Sequence, residues 1–212
     1  MQIQLKHLLI FLFITFSLQS YSQEVVVFAG GDYVTGVFEY GQNSAGIDEN
    51  YEGFGFHGGA SFEGVITGNR KQELLFSIGL MGDYRMLTQK MSIGEDNKAN
   101  LLYVNTPAYI FYRYKLRSRD KIYGGIGPYM GVGLAGNIME DKVQWGSEEG
   151  VDHLKRLDYG ASAKIGYRGY TGLDISASYD YGVPDIFSLF SSGSLHNRVL
   201  RLSVGYTFSL VD

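Results

Sequence analysis

Charged residues recur in this chain at every second position, or multiples of it, within alternating segments. Glu73, Asp83 and Arg85 share one parity, as do Lys164 and Arg168, and Asp174 and Asp180. Asp32, Glu63, Arg113 and Arg201 occupy like positions in other segments. Side chains of an extended strand alternate between its two faces, so each set lies on one face. Acids (Asp32, Glu63, Glu73, Asp83, Asp174, Asp180) nearly balance bases (Arg85, Arg113, Lys164, Arg168, Arg201). Brought together in a confined interior, such groups must pair or stay hydrated, because an isolated ion in low dielectric is costly. Two chemistries follow: a self-neutralising network that fills the interior, or a polar path for ions or small solutes.

Other reactive residue types fall into no spacing motif. The histidines are His7, His57, His153 and His196. Ser192, Ser194, His196 and Asp152 could form a nucleophile–base–acid set of the kind used by lipid-modifying hydrolases, but a triad is defined by geometry. The acidic stretches Asp48-Glu49-Asn50-Tyr51-Glu52, Glu95-Asp96-Asn97 and Glu148-Glu149 with Asp152 offer oxygen ligands suited to calcium, without a full calcium-loop spacing. They read as solvated loops. Trp145 is either a binding anchor or a rim residue. Ile186-Phe187-Ser188-Leu189-Phe190 is either an exposed contact patch or a strand extension. The expectation is no catalytic residue, no metal and no cofactor. With no cysteine, disulfides, thiolate metal sites and a lipoprotein anchor are excluded.

The elements that position the charges are strands. The last one shows the pattern best: Leu200, Leu202, Val204, Tyr206 and Phe208 on one face, Arg201, Ser203, Gly205 and Thr207 on the other. Eight such segments are read, near 24–37, 53–66, 71–87, 101–114, 121–136, 155–167, 172–183 and 195–208. Each exceeds the roughly 9–11 residues that a tilted strand needs to cross a bilayer, and none has the ~20 apolar residues of a membrane helix. Glycine (29), tyrosine (17) and phenylalanine (13) are abundant and proline (3) is scarce, as in an all-β barrel. Connectors alternate between short (67–70, 115–120, 168–171) and long (38–52, 88–100, 137–154, 184–194), the asymmetry of transmembrane barrels. Gly68-Asn69 suits a reversed hairpin turn.

Alternation alone fits a soluble barrel too. The polar faces decide: Asp174, Ser176, Ser178, Asp180 and Gly182, or Gly160, Ser162, Lys164, Gly166 and Arg168, are small residues with isolated charges. These suit a narrow lumen, which has little aqueous space, better than a solvated exterior. The apolar faces have aliphatic middles and tyrosine ends, like membrane-barrel girdles. The expected fold is therefore all-β: an eight-stranded antiparallel up-and-down transmembrane β-barrel over residues 23–212. Residues 1–22 read as a signal peptide, with Lys6, the apolar run His7–Leu18 and small residues at Ser20-Tyr21-Ser22. Without them the net charge is about −5, which argues against nucleic acid.

Several stretches resemble a known family. They are Tyr103-Val104-Asn105-Thr106-Pro107-Ala108, Gly125-Ile126-Gly127-Pro128-Tyr129-Met130-Gly131, Tyr179-Asp180-Tyr181-Gly182-Val183, and Asn197-Arg198 through Tyr206-Thr207-Phe208. In order and spacing they resemble the outer-membrane β-barrels common in Bacteroidota, called PorT-like or porin-family proteins, relatives in architecture of the OmpX and OmpA barrels. The resemblance implies the cell outer membrane, outer-membrane lipid as surroundings, and in some members an accessory role in secretion. The expected function is a non-enzymatic barrel that displays four long extracellular loops, structural, adhesive or partner-binding toward surface or envelope proteins, with periplasmic termini. The alternatives are a narrow porin-like channel and, more remotely, a lipid-modifying membrane enzyme.

Overall fold

A computed structural model describes residues 23–40, 51–89, 97–138, 141–145, 153–184 and 193–210. Eight long strands carry the fold: β1 (Gln23–Tyr40), β2 (Tyr51–Gly68), β3 (Gln72–Gln89), β4 (Asn97–Lys115), β5 (Lys121–Ile138), β6 (Leu157–Arg168), β7 (Leu173–Gly182) and β8 (Gly193–Ser209). Each pairs antiparallel with its chain neighbour, and β1 pairs with β8 from Glu24↔Ser209 to Tyr40↔Gly193. The ring is closed. No long strand is left with an unpaired edge, the condition for a sheet to sit in lipid.

The faces follow the alternation. Leu202 (64 % exposed), Val204, Ile175, Ile165 and Ile126 (72 %) point outward, with Tyr112, Tyr159, Tyr167, Tyr181 and Tyr206 toward the two ends. Arg201 (2 %), Asp174, Asp83 (0 %) and Arg113 are buried in the lumen. Leu75 and Met81, apolar residues on the polar parity of β3, are buried there too. Leu75 joins Tyr109, Phe111 and Tyr123 in an aromatic wedge, with Tyr109 and Phe111 stacked at 5.0 Å. On β1, whose alternation is weak, Glu24, Val26, Asp32 and Val34 face inward.

The short connectors lie at one rim. In the β2–β3 turn, Gly68 and Asn69 have negative φ, so the expected reversed turn does not form. Instead the Asn69 carboxamide oxygen accepts from the N–H groups of Lys71 (2.9 Å) and Gln72 (3.0 Å). A side chain that closes its own turn does not need a left-handed backbone. Positive φ occurs instead at Arg119 (70°) and Gly172 (97°). At Gly172 a Cβ would also stand 2.9 Å from the Thr207 carbonyl, so glycine serves both the turn and the close approach of β8. Asp120 ties the β4–β5 and β6–β7 turns together. It accepts from Ser118 Oγ (2.6 Å) and from the Tyr170 N–H (3.0 Å). At the opposite rim, most of the long connectors lie outside the described residues, including Ile186–Phe190 and the acidic stretches apart from Tyr51, Glu52 and Asn97.

Two outcomes follow. Leu202→Arg, in the middle of the apolar band, is expected to destabilise the barrel by about 2–4 kcal/mol in vesicle unfolding, as charge does on a lipid face. The donors around Asp120, Ser118 first, hold its carboxyl below the usual range. A depressed folded pKa contributes stability that is present above the unfolded value, about 4, and is lost as pH falls through the folded one. Asp120→Asn should therefore lower the unfolding midpoint at neutral pH, and the gap to the unaltered protein should close in strong acid.

Candidate functional site

The lumen is built in storeys. At the short-turn rim, Arg168 on β6 is the hub. Its Nη1 lies 2.7 Å from Glu24 Oε2 and 2.9 Å from Glu63 Oε2, and its Nε 2.8 Å from Asp174 Oδ2. Arg113 on β4 bridges Glu24 and Glu73, its Nε 2.8 Å from Glu73 Oε2. Lys115 pairs with Glu73, and Lys121 with Glu24 at 2.9 Å. Tyr123 donates its hydroxyl to Asp174 at 2.8 Å. Strands β1 to β7 all contribute to this cluster.

The second storey lies toward the other rim and centres on Asp83. Its Oδ2 accepts from Arg85 (Nη2, 2.8 Å), Asn105 (Nδ2, 3.0 Å) and Arg201 (Nη2, 2.7 Å). Arg201 also pairs with Asp180, which accepts from Ser162 Oγ at 2.5 Å. Asp158 takes the Tyr129 hydroxyl (3.1 Å) and the Asn197 amide (2.9 Å), with Arg85 Nη1 at 3.6 Å. The Arg85 guanidinium lies 4.5 Å over the Tyr103 ring.

Above this storey the mouth is capped. Residues 141–145 fold back on the end of β5, through Asn137↔Lys142 and Ile138↔Asp141. Val143 is buried against Leu101 and Tyr103. Trp145 meets the Tyr103 ring edge-on at 5.8 Å. A Cβ on Gly133 would stand 2.3 Å from the indole, so this glycine makes room for the cap. Of the two readings for Trp145, the structure shows packing at the mouth.

Beside the second storey, with Asp32 Oδ1 3.6 Å from Arg201 Nε, lies an acid–imidazole–hydroxyl array. His57 Nδ1 is 2.6 Å from Asp32 Oδ1, and Nε2 is 2.8 Å from Ser203 Oγ. The order matches that of a hydrolytic triad. The adjoining cavity, however, has a volume of only about 20 Å³, room for one water and not for an acyl substrate. The array can hold and orient a proton. It has no space to attack a carbonyl. The expected set around His196 is not assembled among the described residues, because Asp152 and Ser192 fall outside them.

The structure places Glu63, Glu73, Asp83, Arg85, Arg113, Arg168, Asp174, Asp180 and Arg201 in the lumen and joins each through ion pairs. Lys164 also faces inward but forms no ion pair among the described residues; its ammonium lies 5.4 Å over the Phe28 ring. The sequence reading omitted Glu24 and Asp158. Parity could have found both, since Glu24 shares it with Asp32, and Asp158 with Ser162 and Lys164. The hydroxyl and amide partners Tyr123, Tyr129, Asn105 and Asn197 carried no signal beyond their place on the inner face.

The model of a family described as "Outer membrane protein beta-barrel domain" matches residues 19–188. Among solved structures, Ail, the attachment invasion locus protein of Yersinia pestis, is 14% identical, with 87% of this chain and 98% of that one covered at a TM-score of 0.41. OprG of Pseudomonas aeruginosa is 11% identical, with 89% and 97% covered at a TM-score of 0.47. No curated protein matches.

Arg201→Met would leave Asp83 and Asp180 buried without their shared cation. It is expected to cost about 3–5 kcal/mol, measured by urea unfolding in vesicles, as for a broken buried pair.

Proposed function

The chain belongs to the outer membrane protein β-barrel domain family, and on that premise we propose that it is a closed, non-conducting and non-enzymatic barrel that presents its long connectors at the cell surface. The observation that carries this reading is the occupied lumen. Two storeys of charge-paired side chains and the Val143–Trp145 cap lie in series between the rims. A hydrated ion would have to separate guanidinium–carboxylate pairs that are buried on both sides, which low dielectric makes expensive. The enclosed His57 array supports the non-enzymatic part, because Ser203 faces a space too small for a lipid.

In this reading residues 1–22 direct export and are removed, both termini face the periplasm, and the four long connectors face outward. Their role is structural, adhesive or partner-binding. The narrower placement among PorT-like barrels of Bacteroidota, with a secretion-accessory role, rests on the four sequence stretches quoted above. An even number of strands puts both chain ends at the short-turn rim, which supports the orientation.

Planar-bilayer recording of the purified full chain tests the proposal. No reproducible unitary conductance is expected. A stable channel of defined size would overturn the reading in favour of a narrow porin.

A further inference from the structure

Four exposed cations gather on one sector of the short-turn rim. Arg70 and Lys71 lie in the β2–β3 turn, and Arg117 and Arg119 in the β4–β5 turn. The bases that flank the second turn, Lys115 and Lys121, are tied to Glu73 and Glu24. Arg70, Lys71, Arg117 and Arg119 form no ion pair and no side-chain hydrogen bond among the described residues. The Lys115 N–H donates to the Lys71 carbonyl at 2.8 Å and so holds the two turns side by side. The β6–β7 turn adds no such cation, since Arg168 enters the lumen. The one acid of the three turns, Asp120, is half-buried and accepts from Ser118 Oγ and the Tyr170 N–H. The whole chain has 22 acids against 18 bases, so this local excess of bases does not reflect composition. Arg119 also holds a left-handed backbone, φ 70°, which Asn or Gly would occupy at less cost.

Height along the barrel identifies the partner. The apolar side chains that border the two turns, Ile66, Leu116 and Ile122, are exposed and mark the edge of the hydrocarbon. Beyond them the chain turns back at once. The Asn69 N–H donates to the Gln72 carbonyl at 2.7 Å, and the Leu116 N–H to the Asp120 carbonyl at 2.8 Å. Turns this tight stay within the headgroup layer, about 5–8 Å deep on each side of the hydrocarbon. There an arginine or lysine lays its alkyl stem on apolar surface and sets its charge among phosphates. A guanidinium fork matches phosphate oxygens, and basic side chains next to a membrane favour lipids of net negative charge. We propose that the β2–β3 and β4–β5 turns form a docking surface for anionic phospholipid, whose headgroup phosphates are held by Arg70, Lys71, Arg117 and Arg119. An acidic protein segment would need these cations to stand clear of the headgroups, which such short turns do not allow. Docking requires the barrel to be in a bilayer, and depends neither on its closure to ions nor on the direction of its insertion. In the orientation proposed above, the leaflet concerned is the periplasmic one.

Phosphatidylglycerol and phosphatidylcholine, equimolar and with identical acyl chains, are the probes. Native mass spectrometry of the full chain released from detergent should show phosphatidylglycerol retained over phosphatidylcholine by about fivefold or more, the factor that a single base beside an anionic surface supplies. In Arg70→Gln/Lys71→Gln/Arg117→Gln/Arg119→Asn the ratio should fall to near one. Asn suits the left-handed backbone at 119, so that change removes charge without straining the turn. Equal retention of the two lipids by the unaltered chain overturns the proposal, as does a preference that the fourfold variant keeps. Binding of polyglutamate without any preference between the lipids overturns it in favour of an acidic protein segment. Should the fourfold variant fail to fold, Arg70→Gln/Lys71→Gln and Arg117→Gln/Arg119→Asn are measured separately. Each should then lose part of the preference, and an unchanged ratio in both counts against the surface.

Discussion

A strand in a bilayer has no water to satisfy its backbone, so every N–H and C=O must find a partner in the protein. Much else here follows from that demand. The demand is met by the pairing of β1 with β8 along the length of both strands, which turns a meander into a ring. Once the ring closes, each side chain has one of two destinations. The outer one is lipid, and the inner one is a lumen bounded by eight strands. Aliphatic and tyrosine side chains go outward because acyl chains and headgroups are their best solvents. Charged side chains go inward, where they must solve their own electrostatics.

The inner solution is division by height. Near the short turns, Arg168 and Arg113 gather Glu24, Glu63, Glu73 and Asp174 from four different strands. Toward the long connectors, Asp83 gathers Arg85, Asn105 and Arg201. Each guanidinium contacts carboxylates on more than one strand, so the ion pairs also fix the strands relative to one another across the lumen. Removing one partner would strand the others in low dielectric. The aromatic wedge of Tyr109, Phe111 and Tyr123 packs with Leu75 inside the lumen, and Tyr123 reaches the lower cluster through its hydrogen bond to Asp174.

Asp32, His57 and Ser203 show why geometry must be weighed with access. Their distances, 2.6 and 2.8 Å, would suit a nucleophilic serine. Their surroundings do not, since ionic layers lie on either side and the space beside them is of water size. Here the same three residue types link β1, β2 and β8 across the lumen. Residue identity describes what a group could do; the space around it determines what can reach it.

The sequence by itself determined the strands and their facing, because a period of two with oily and ionic sides has one stable arrangement in a membrane. Leu202 outward and Arg201 inward were legible from that period taken with the small, sparsely charged polar faces, as was the inner placement of Leu75 and Met81. Even Glu24 and Asp158 were readable by parity. The partners were decided only by the tertiary structure. Arg201 meets Asp83, which lies 118 positions away, and Ser203 meets His57, which lies 146 away. Alternation specifies a face and says nothing of height or of which strand stands across the lumen. Those depend on how the register of eight strands accumulates around a closed ring. For the same reason only the fold could place Trp145 over the mouth, and set the Lys164 ammonium over the Phe28 ring.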